Sequence, residues 1–336
     1  MRPSFRSIWV LIAASLLGGA AQAIEIDYQF DPSRHNRFLS GFGTTPVQNP
    51  NVLGMPGLDF SGVGWGSGGD QFTNVALVTP EHFISANHYH PPVGSFLNFL
   101  GTDGIVRTRQ IQSYTQLHFN PNDLTSNFSD LVVGQLSAPF TPADNVRIYP
   151  VVRPGAFQYP LSSNPPSFLD FYRGRQIVVV GKNDTGAPDA DSDGYNDRGG
   201  KIALHTIDDV FDFNFGTNET NTVGFGHWFH PNTPDLGHFI GGDSGSPTFM
   251  LWDGQLTILG AHSGVDTDPD NNPQTLDQYN VDSFLPFYVD QINSLIQASG
   301  FQIQILTPVP EPGTLTLIGL AGAGLFLRRW RRPVVA

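Results

Sequence analysis

The 336-residue chain contains no cysteine, which excludes disulfide bonds, thiolate zinc sites and a cysteine nucleophile. Charged residues are also scarce, at 14% of the chain, whereas glycine and proline number 37 and 27. Many turn-forming residues with few charges favour short strands over long helices. The composition therefore predicts an all-β protein that is stabilised by core burial rather than by cross-links.

Basic side chains are few, and six of the 17 lie at the two ends of the chain. Between residues 24 and 308 there are 29 acidic and 11 basic residues, so this body has a net charge near −18. Phosphate binding requires the opposite charge, which excludes nucleic acid as a partner.

The amino-terminal residues 1–23 have the pattern of a secretory signal peptide. Arg2 and Arg6 precede an apolar run over 8–17, and Ala21 and Ala23 form a small-x-small cleavage site. A retained membrane anchor is the alternative, but the apolar run is short for a span. We expect export and cleavage by signal peptidase after Ala23.

The carboxyl-terminal residues 306–336 contain three further elements in order. Pro310-Glu311-Pro312 is followed by an apolar run over 315–327 and by four arginines within 328–332. An apolar helix with a basic end is a membrane stop-transfer element. The order resembles the PEP-CTERM sorting signal of Gram-negative bacteria. That resemblance implies recognition by an exosortase, removal of the tail, and delivery to the cell envelope, cell surface or extracellular matrix.

Short apolar runs separated by turn signals predict strands in the body. Residues 283–296 have helical spacing, whereas 181–232 are polar and predict a loop-rich segment. An all-β body closed by one helix favours a sandwich or a barrel. The predicted strands are 74–79, 83–85, 130–136, 176–180, 247–251 and 256–261.

The strongest motif is the string GGDSGSP over 241–247. Glycines on both sides of Ser244 allow a sharp turn that exposes its hydroxyl. They also let the amides of Gly242 and Ser244 converge on one point, as an oxyanion hole requires. An ordinary turn between strands is the alternative interpretation.

A serine nucleophile needs a base, and the base needs an orienting carboxylate. His88 ends the string FISANH over 83–88, with His82 and His90 as competing candidates. A metal site at His88 and His90 is a further alternative. Asp130 begins the apolar string DLVVGQL, with Asp123 as its rival.

These strings, in the order His88, Asp130, Ser244, resemble those of trypsin-like serine proteases. Asn87 and Tyr89 depart from the usual alanine and cysteine, and the long second gap places an insertion at 181–232. The resemblance runs from about residue 62 to 298. It implies a protease domain over 24–305, with two antiparallel six-stranded β-barrels and a carboxyl-terminal helix. The implied activity is peptide-bond hydrolysis in protein or peptide substrates, with no cofactor required.

The resemblance also implies the residues of the primary substrate pocket. His238, six residues before Ser244, stands where an aspartate would favour basic substrates. His262 and Ser263 lie in a segment that resembles the Gly-x-His segment of bacterial glutamyl endopeptidases. Two histidines predict an acid-selective pocket, because imidazole can bind a carboxylate. An apolar preference is the alternative, and Phe239 departs from the small hydroxyl residue of those enzymes.

Asp189, Asp191 and Asp193 alternate like the first ligands of a calcium loop, with a glycine following. Gly200 replaces the bidentate glutamate at the twelfth position, so a solvated acidic loop is the other interpretation. Two rival functions remain beside the endopeptidase. One is a catalytically idle surface module of the same fold that binds calcium, and the other is an esterase with the same triad.

Overall fold

The computed structural model describes residues 24, 26, 29–42, 45–67, 73–123, 125–182, 200–213, 221–267 and 278–308. The chain divides into two compact units, Met1–Leu306 and Thr307–Ala336. The expected signal peptide, the apolar tail segment and the candidate calcium loop lie outside the described residues. Within these ranges the structure has no helix that is both long enough and apolar enough to cross a membrane.

The first half of the larger unit is a closed antiparallel barrel. A four-residue helix α1 (Pro32–His35) and a small hairpin of β1 (Phe38–Ser40) and β2 (Val47–Gln48) precede it. The barrel strands are β3 (Val63–Gly66), β4 (Asn74–Leu77), β5 (His82–Ala86), β6 (Phe96–Leu100), β7 (Val106–His118) and β8 (Phe128–Leu136). They close in the order β3-β4-β5-β8-β7-β6. Strands β4 and β5 are buried along their whole length, which explains why their sequences read as apolar runs.

The second half is a seven-stranded antiparallel sheet that follows β9 (Val151–Val152) and the short helix α2 (Pro166–Asp170). Its strands are β10 (Gln176–Val180), β11 (Ile202–Thr206), β12 (Asp209–Phe213), β13 (Thr222–Phe229), β14 (Pro247–Trp252), β15 (Gln255–Thr267) and β16 (Gln278–Phe284). The sheet order is β11-β10-β14-β15-β16-β13-β12.

This sheet corrects the expectation of a second closed six-stranded barrel. It has seven strands, and its edge strands β11 and β12 are joined only by residues 207 and 208, so the sheet must curl to bring its edges together. The two edges do not pair. A loop residue occupies one of them, because the Leu204 amide of β11 donates to the Asp235 carbonyl at 2.9 Å. The second half is therefore a curled half-barrel.

A carboxyl-terminal helix packs against this sheet, as the sequence predicts. Helix α3 (Leu285–Ile296) is anchored by Tyr288, whose hydroxyl accepts a hydrogen bond from the Val223 amide at 2.8 Å. After α3, β17 (Ile305–Leu306) pairs in parallel with β9. An all-β body with one carboxyl-terminal helix is thus confirmed.

One large hydrophobic core joins the two halves. It includes Ile84 and Leu131 of the barrel together with Val178, Phe249 and Phe284 of the second sheet, all fully buried. The shared core holds the ends of the barrel strands against the turn that precedes β14.

Candidate active site

Strand pairing in the barrel places His88 beside Asp130. Strands β5 and β8 are neighbours with Ala86 opposite Leu131, and the Asn87 amide donates to the Asp130 carbonyl at 2.6 Å. The next residue, His88, leaves the strand with its Nδ1 2.8 Å from Asp130 Oδ1. Its backbone amide also donates to Oδ1, at 3.1 Å. The Asp130 carboxylate is fully buried, and its contact with Nδ1 fixes the orientation of the His88 ring.

The second half supplies the third side chain of the site. Ser244 lies in the turn just before β14, and its Oγ is 2.8 Å from His88 Nε2. The structure therefore brings Asp130, His88 and Ser244 into one continuous hydrogen-bonded chain. His88 keeps 32% of its side chain exposed and Ser244 is half-buried, so the site is open to solvent.

Two opposing effects act on the protonation of His88. Burial disfavours the imidazolium, but the hydrogen bond and the charge of Asp130 outweigh it and raise the pKa of His88 above its ordinary value. Asp130 Oδ2 has no hydrogen-bond partner among the described residues. The arrangement therefore favours the protonated form of the His88 ring.

The rival candidates lie elsewhere. His82 is buried at the start of β5 and contacts the Thr79 hydroxyl at 2.8 Å. His90 Nδ1 lies 3.1 Å from the Pro91 carbonyl, and its ring packs on Tyr114. Asp123 caps an exposed turn by accepting from the amide and hydroxyl of Thr125.

The backbone around Ser244 leaves two donors available. Gly242 has a φ of +97°, in the left-handed region that glycine tolerates. Neither the Gly242 amide nor the Ser244 amide donates a hydrogen bond within the described residues. Two amides without a hydrogen-bond partner beside a serine hydroxyl are the kind of donors of which an oxyanion hole is made.

Asp243 and Lys182 hold this turn in place. The buried Asp243 carboxylate accepts from the Ile240 and Lys182 amides, both at 2.8 Å, and burial raises the pKa of Asp243 to about 6. The Lys182 ammonium donates to the Gly241 carbonyl, so the cation lies against the glycine pair. Sequence reasoning missed Lys182, although it is one of only two lysines in the chain and directly follows a buried strand.

The predicted pocket residues do not converge as a pair of histidines. His262 is 1% exposed, and Phe239 covers its ring with a centroid separation of 3.8 Å. His238 packs instead on Phe229, with centroids 4.8 Å apart. The Ser263 hydroxyl is buried against the Ser283 hydroxyl at 2.6 Å.

A buried acidic residue behind His262 escaped the sequence analysis. Asp282 on β16 lies opposite His262 and is fully buried, with Oδ1 4.0 Å from His262 Nδ1. Its carboxylate accepts from the Thr248 hydroxyl at 2.9 Å and lies 3.2 Å from His227 Nε2. Burial raises the pKa of Asp282 to about 6 and lowers that of His262 to about 4. The sequence feature that could have identified Asp282 is the single aspartate in the string YNVDSF, just before α3.

The sequence left open a metal site at His88 and His90. Among the described residues, no group of three or more histidine and carboxylate side chains is placed to hold a metal ion. Asp189, Asp191 and Asp193 lie outside those residues.

Residues 308–332 match the PEP-CTERM protein-sorting motif. This match confirms the expected carboxyl-terminal signal, and it indicates a protein that is exported, processed by an exosortase and sorted to the envelope or surface of a Gram-negative bacterium. No curated protein matches the chain. A solved structure described as the atomic resolution structure of HBP is similar over 76% of this chain and 95% of its own, at 15% identity and a TM-score of 0.47. That likeness is too distant to indicate a function.

Proposed function

We propose that the chain is an exported serine endopeptidase with Ser244 as nucleophile, His88 as base and Asp130 as orienting carboxylate. The two 2.8 Å contacts of the His88 ring carry this proposal, one to Ser244 Oγ and one to Asp130 Oδ1. A serine hydroxyl is a weak nucleophile unless a neighbouring base takes its proton, and that base works best when a third group orients it.

Each residue has a defined step in this proposal. Ser244 Oγ attacks the scissile carbonyl carbon while His88 Nε2 takes the hydroxyl proton. The amides of Gly242 and Ser244 hold the resulting oxyanion. The C–N bond then breaks as His88 returns the proton to the leaving amine. Water, activated by His88, hydrolyses the acyl ester, and Asp130 keeps Nδ1 protonated throughout.

The edge of β15 favours a peptide over a simple ester. Pairing with β14 ends at Ala261, whereas pairing with β16 continues to Thr267. Residues 263–267 therefore have one strand edge that pairs with nothing in the described part of the chain. An exposed edge beside the nucleophile can bind an extended peptide through main-chain hydrogen bonds.

The architecture supports a chymotrypsin-like assignment for residues 24–305. A closed six-stranded antiparallel barrel carries His88 and Asp130, and a curled antiparallel sheet carries Ser244. We propose that the substrate binds in the cleft between these two halves. No cofactor takes part in this mechanism.

The proposed site of action is outside the cytoplasm. The sorting motif at 308–332 indicates export and processing by an exosortase. We propose that signal peptidase removes residues 1–23 and that the mature enzyme acts on proteins at the cell surface or in the extracellular matrix. Its acidic body makes a nucleic-acid substrate unfavourable.

A covalent probe tests this function directly. The full chain is exported from a Gram-negative host, purified, and incubated with a fluorophosphonate and separately with casein. We expect labelling and cleavage by the unchanged protein, no labelling of Ser244→Ala, and a loss of several orders of magnitude in hydrolysis for His88→Ala. His90→Ala is the matched control and should stay active. A folded protein that neither labels nor cleaves would instead indicate a catalytically idle surface module.

A further inference from the structure

The side of Ser244 that faces away from His88 is where the acyl residue of a bound peptide must lie. His88 donates its proton to the leaving amine, so the leaving group occupies the His88 side. The opposite side is formed by β15. In this strand the backbone carbonyl of His262 accepts a hydrogen bond from the Gly245 amide, and the backbone amide of His262 donates one to the Ser246 carbonyl, both at 2.9 Å.

An aromatic ring packs against this part of β15. Phe239 lies 3.8 Å from the His262 ring and 5.3 Å from the His227 ring, measured between centroids, and is 4% exposed. Its backbone is tied to β16, because its amide donates to Asn280 Oδ1 at 3.1 Å and its carbonyl accepts from Gln278 Nε2 at 2.9 Å. These hydrogen bonds fix the backbone of Phe239, and the contacts with the His262 and His227 rings hold its side chain in place.

Taking the proposed endopeptidase function as its basis, we propose that Phe239 restricts the acyl residue of the substrate to a small uncharged side chain, as in glycine, alanine or serine. Each added methylene that a filled pocket excludes costs about 10-fold or more in kcat/KM. Leucine, phenylalanine and the long basic side chains are therefore excluded by volume.

An acidic acyl residue is excluded by charge as well as by size. Neither ring nitrogen of His262 has a hydrogen-bond partner among the described residues, and both are buried. Burial lowers the pKa of His262 to about 4, so the ring is uncharged at neutral pH. The Asp282 carboxylate lies directly behind it, at 4.0 Å from Nδ1. A substrate carboxylate would thus meet a neutral ring backed by a negative charge.

Profiling with a mixed peptide library tests this inference on the full exported chain. We expect glycine, alanine and serine before the cut to be enriched at least 10-fold over leucine, phenylalanine, glutamate and lysine. Phe239→Ala should raise kcat/KM for leucine relative to alanine by 10-fold or more, and Phe239→Leu should do so less strongly.

Phe211→Ala serves as the matched control, because it removes a partly buried phenylalanine of β12 that stacks on Tyr279. Its substrate profile should equal that of the unchanged protein. A preference for large or charged acyl residues in the unchanged protein would overturn the inference but leave the endopeptidase standing. An unchanged leucine-to-alanine ratio in both Phe239 variants would do the same. A protein without labelling or cleavage would overturn both.

Discussion

Gly245, the residue after the proposed nucleophile, lies where the second half of the molecule packs against the barrel. Its φ is +82°, and a Cβ atom there would lie 2.4 Å from Ser85 Oγ. The same atom would lie 3.1 Å from the Ala86 amide nitrogen and 3.1 Å from the Tyr89 carbonyl oxygen. Gly245→Ala therefore forces an L-residue into the left-handed region and drives a methyl group into the backbone on both sides of His88.

The cost of the left-handed conformation and the cost of the methyl overlap can be separated with a second glycine. Gly254, in the turn between β14 and β15, has a φ of +72° and no atom within 4 Å of an added Cβ. Gly254→Ala should cost only the left-handed strain, about 1–2 kcal/mol of unfolding free energy. Gly245→Ala should add an overpacking cost of about 1–3 kcal/mol. Urea denaturation of both variants measures the difference.

The same overlap should act on the proposed chemistry. It can be relieved only if the Ser244 turn moves away from residues 85–89, which lengthens the 2.8 Å contact between His88 and Ser244. We expect fluorophosphonate labelling of Gly245→Ala to be about 100-fold slower, whereas Gly254→Ala should label normally. Ser85→Ala removes the nearest atom and should recover part of the lost stability in a double-mutant cycle. Equal stabilities and equal labelling rates for the two glycine variants would refute this reasoning.

Three further predictions concern stability and delivery. Acidification from pH 7.5 to pH 5 should destabilise the fold, because burial lowers the pKa values of His227 and His262 to about 3 and about 4. In this window these histidines bind protons only when unfolded, at a cost of about 2 kcal/mol each. Burial also lowers the pKa of His205 well below its ordinary value, which adds to this loss. The buried Asp243 and Asp282, with pKa values of about 6, bind protons in the folded state below pH 6 and offset about 1 kcal/mol each, so urea denaturation should show a net loss of at least about 2 kcal/mol of unfolding free energy. Phe249→Ala, in the core against Tyr149, should cost about 3–5 kcal/mol in the same assay. A chain ending at Thr307 keeps β17 and should be released soluble with unchanged unfolding energy, as fractionation and denaturation would show.

Three of the six barrel strands, β4, β5 and β8, could be predicted from the sequence because they contain short apolar runs, whereas β3, β6 and β7 were missed. The same holds for β10, which the structure places at the predicted residues 176–180. β15 was predicted to end at residue 261 but continues to 267. Its second part contains His262, Ser263 and Gly264, which are not apolar and are held in the strand by pairing with β16. A pairing partner that is distant in sequence leaves no local signal.

The segment 181–232 shows the opposite error. Its polar composition predicted loops, yet the structure places β11, β12 and β13 within it. In β13 aromatic residues alternate with glycines over Gly224, Phe225 and Gly226, and the aromatic rings pack into the core while the glycines leave room for β16. The Tyr279 ring lies where a side chain on Gly226 would be. The polar composition of the whole segment therefore gave no indication of β13, which pairs with β12 on one side and with β16 on the other.

Candidate residues that belong to a local motif could be predicted from the sequence, whereas the residues that pack around them could not. Ser244, His88 and Asp130 each stand in a recognisable string. Phe239 and Asp282 do not. Asp282 lies opposite His262 through the register of β15 and β16, and Phe239 is held there by hydrogen bonds between its backbone and the side chains of Asn280 and Gln278. An interpretation of specificity from the motif alone counted two histidines and missed the ring that covers one of them.

The three residues of the candidate triad depend on the fold in different ways. Asp130 lies on β8 and His88 follows the end of the adjacent strand β5 by two residues, so barrel register alone brings them together. Ser244 belongs to the other half and reaches His88 only if the halves stay in contact. Asn74 of β4 supplies part of that contact, because its amide donates to the Gly181 carbonyl at 2.7 Å and lies 3.4 Å from Ser246 Oγ. Since Lys182 follows Gly181 and holds the glycines before Ser244, one buried asparagine links the barrel to both ends of the nucleophile turn. The geometry of the proposed base is thus a property of the barrel alone, and that of the proposed nucleophile is a property of the contact between the two halves.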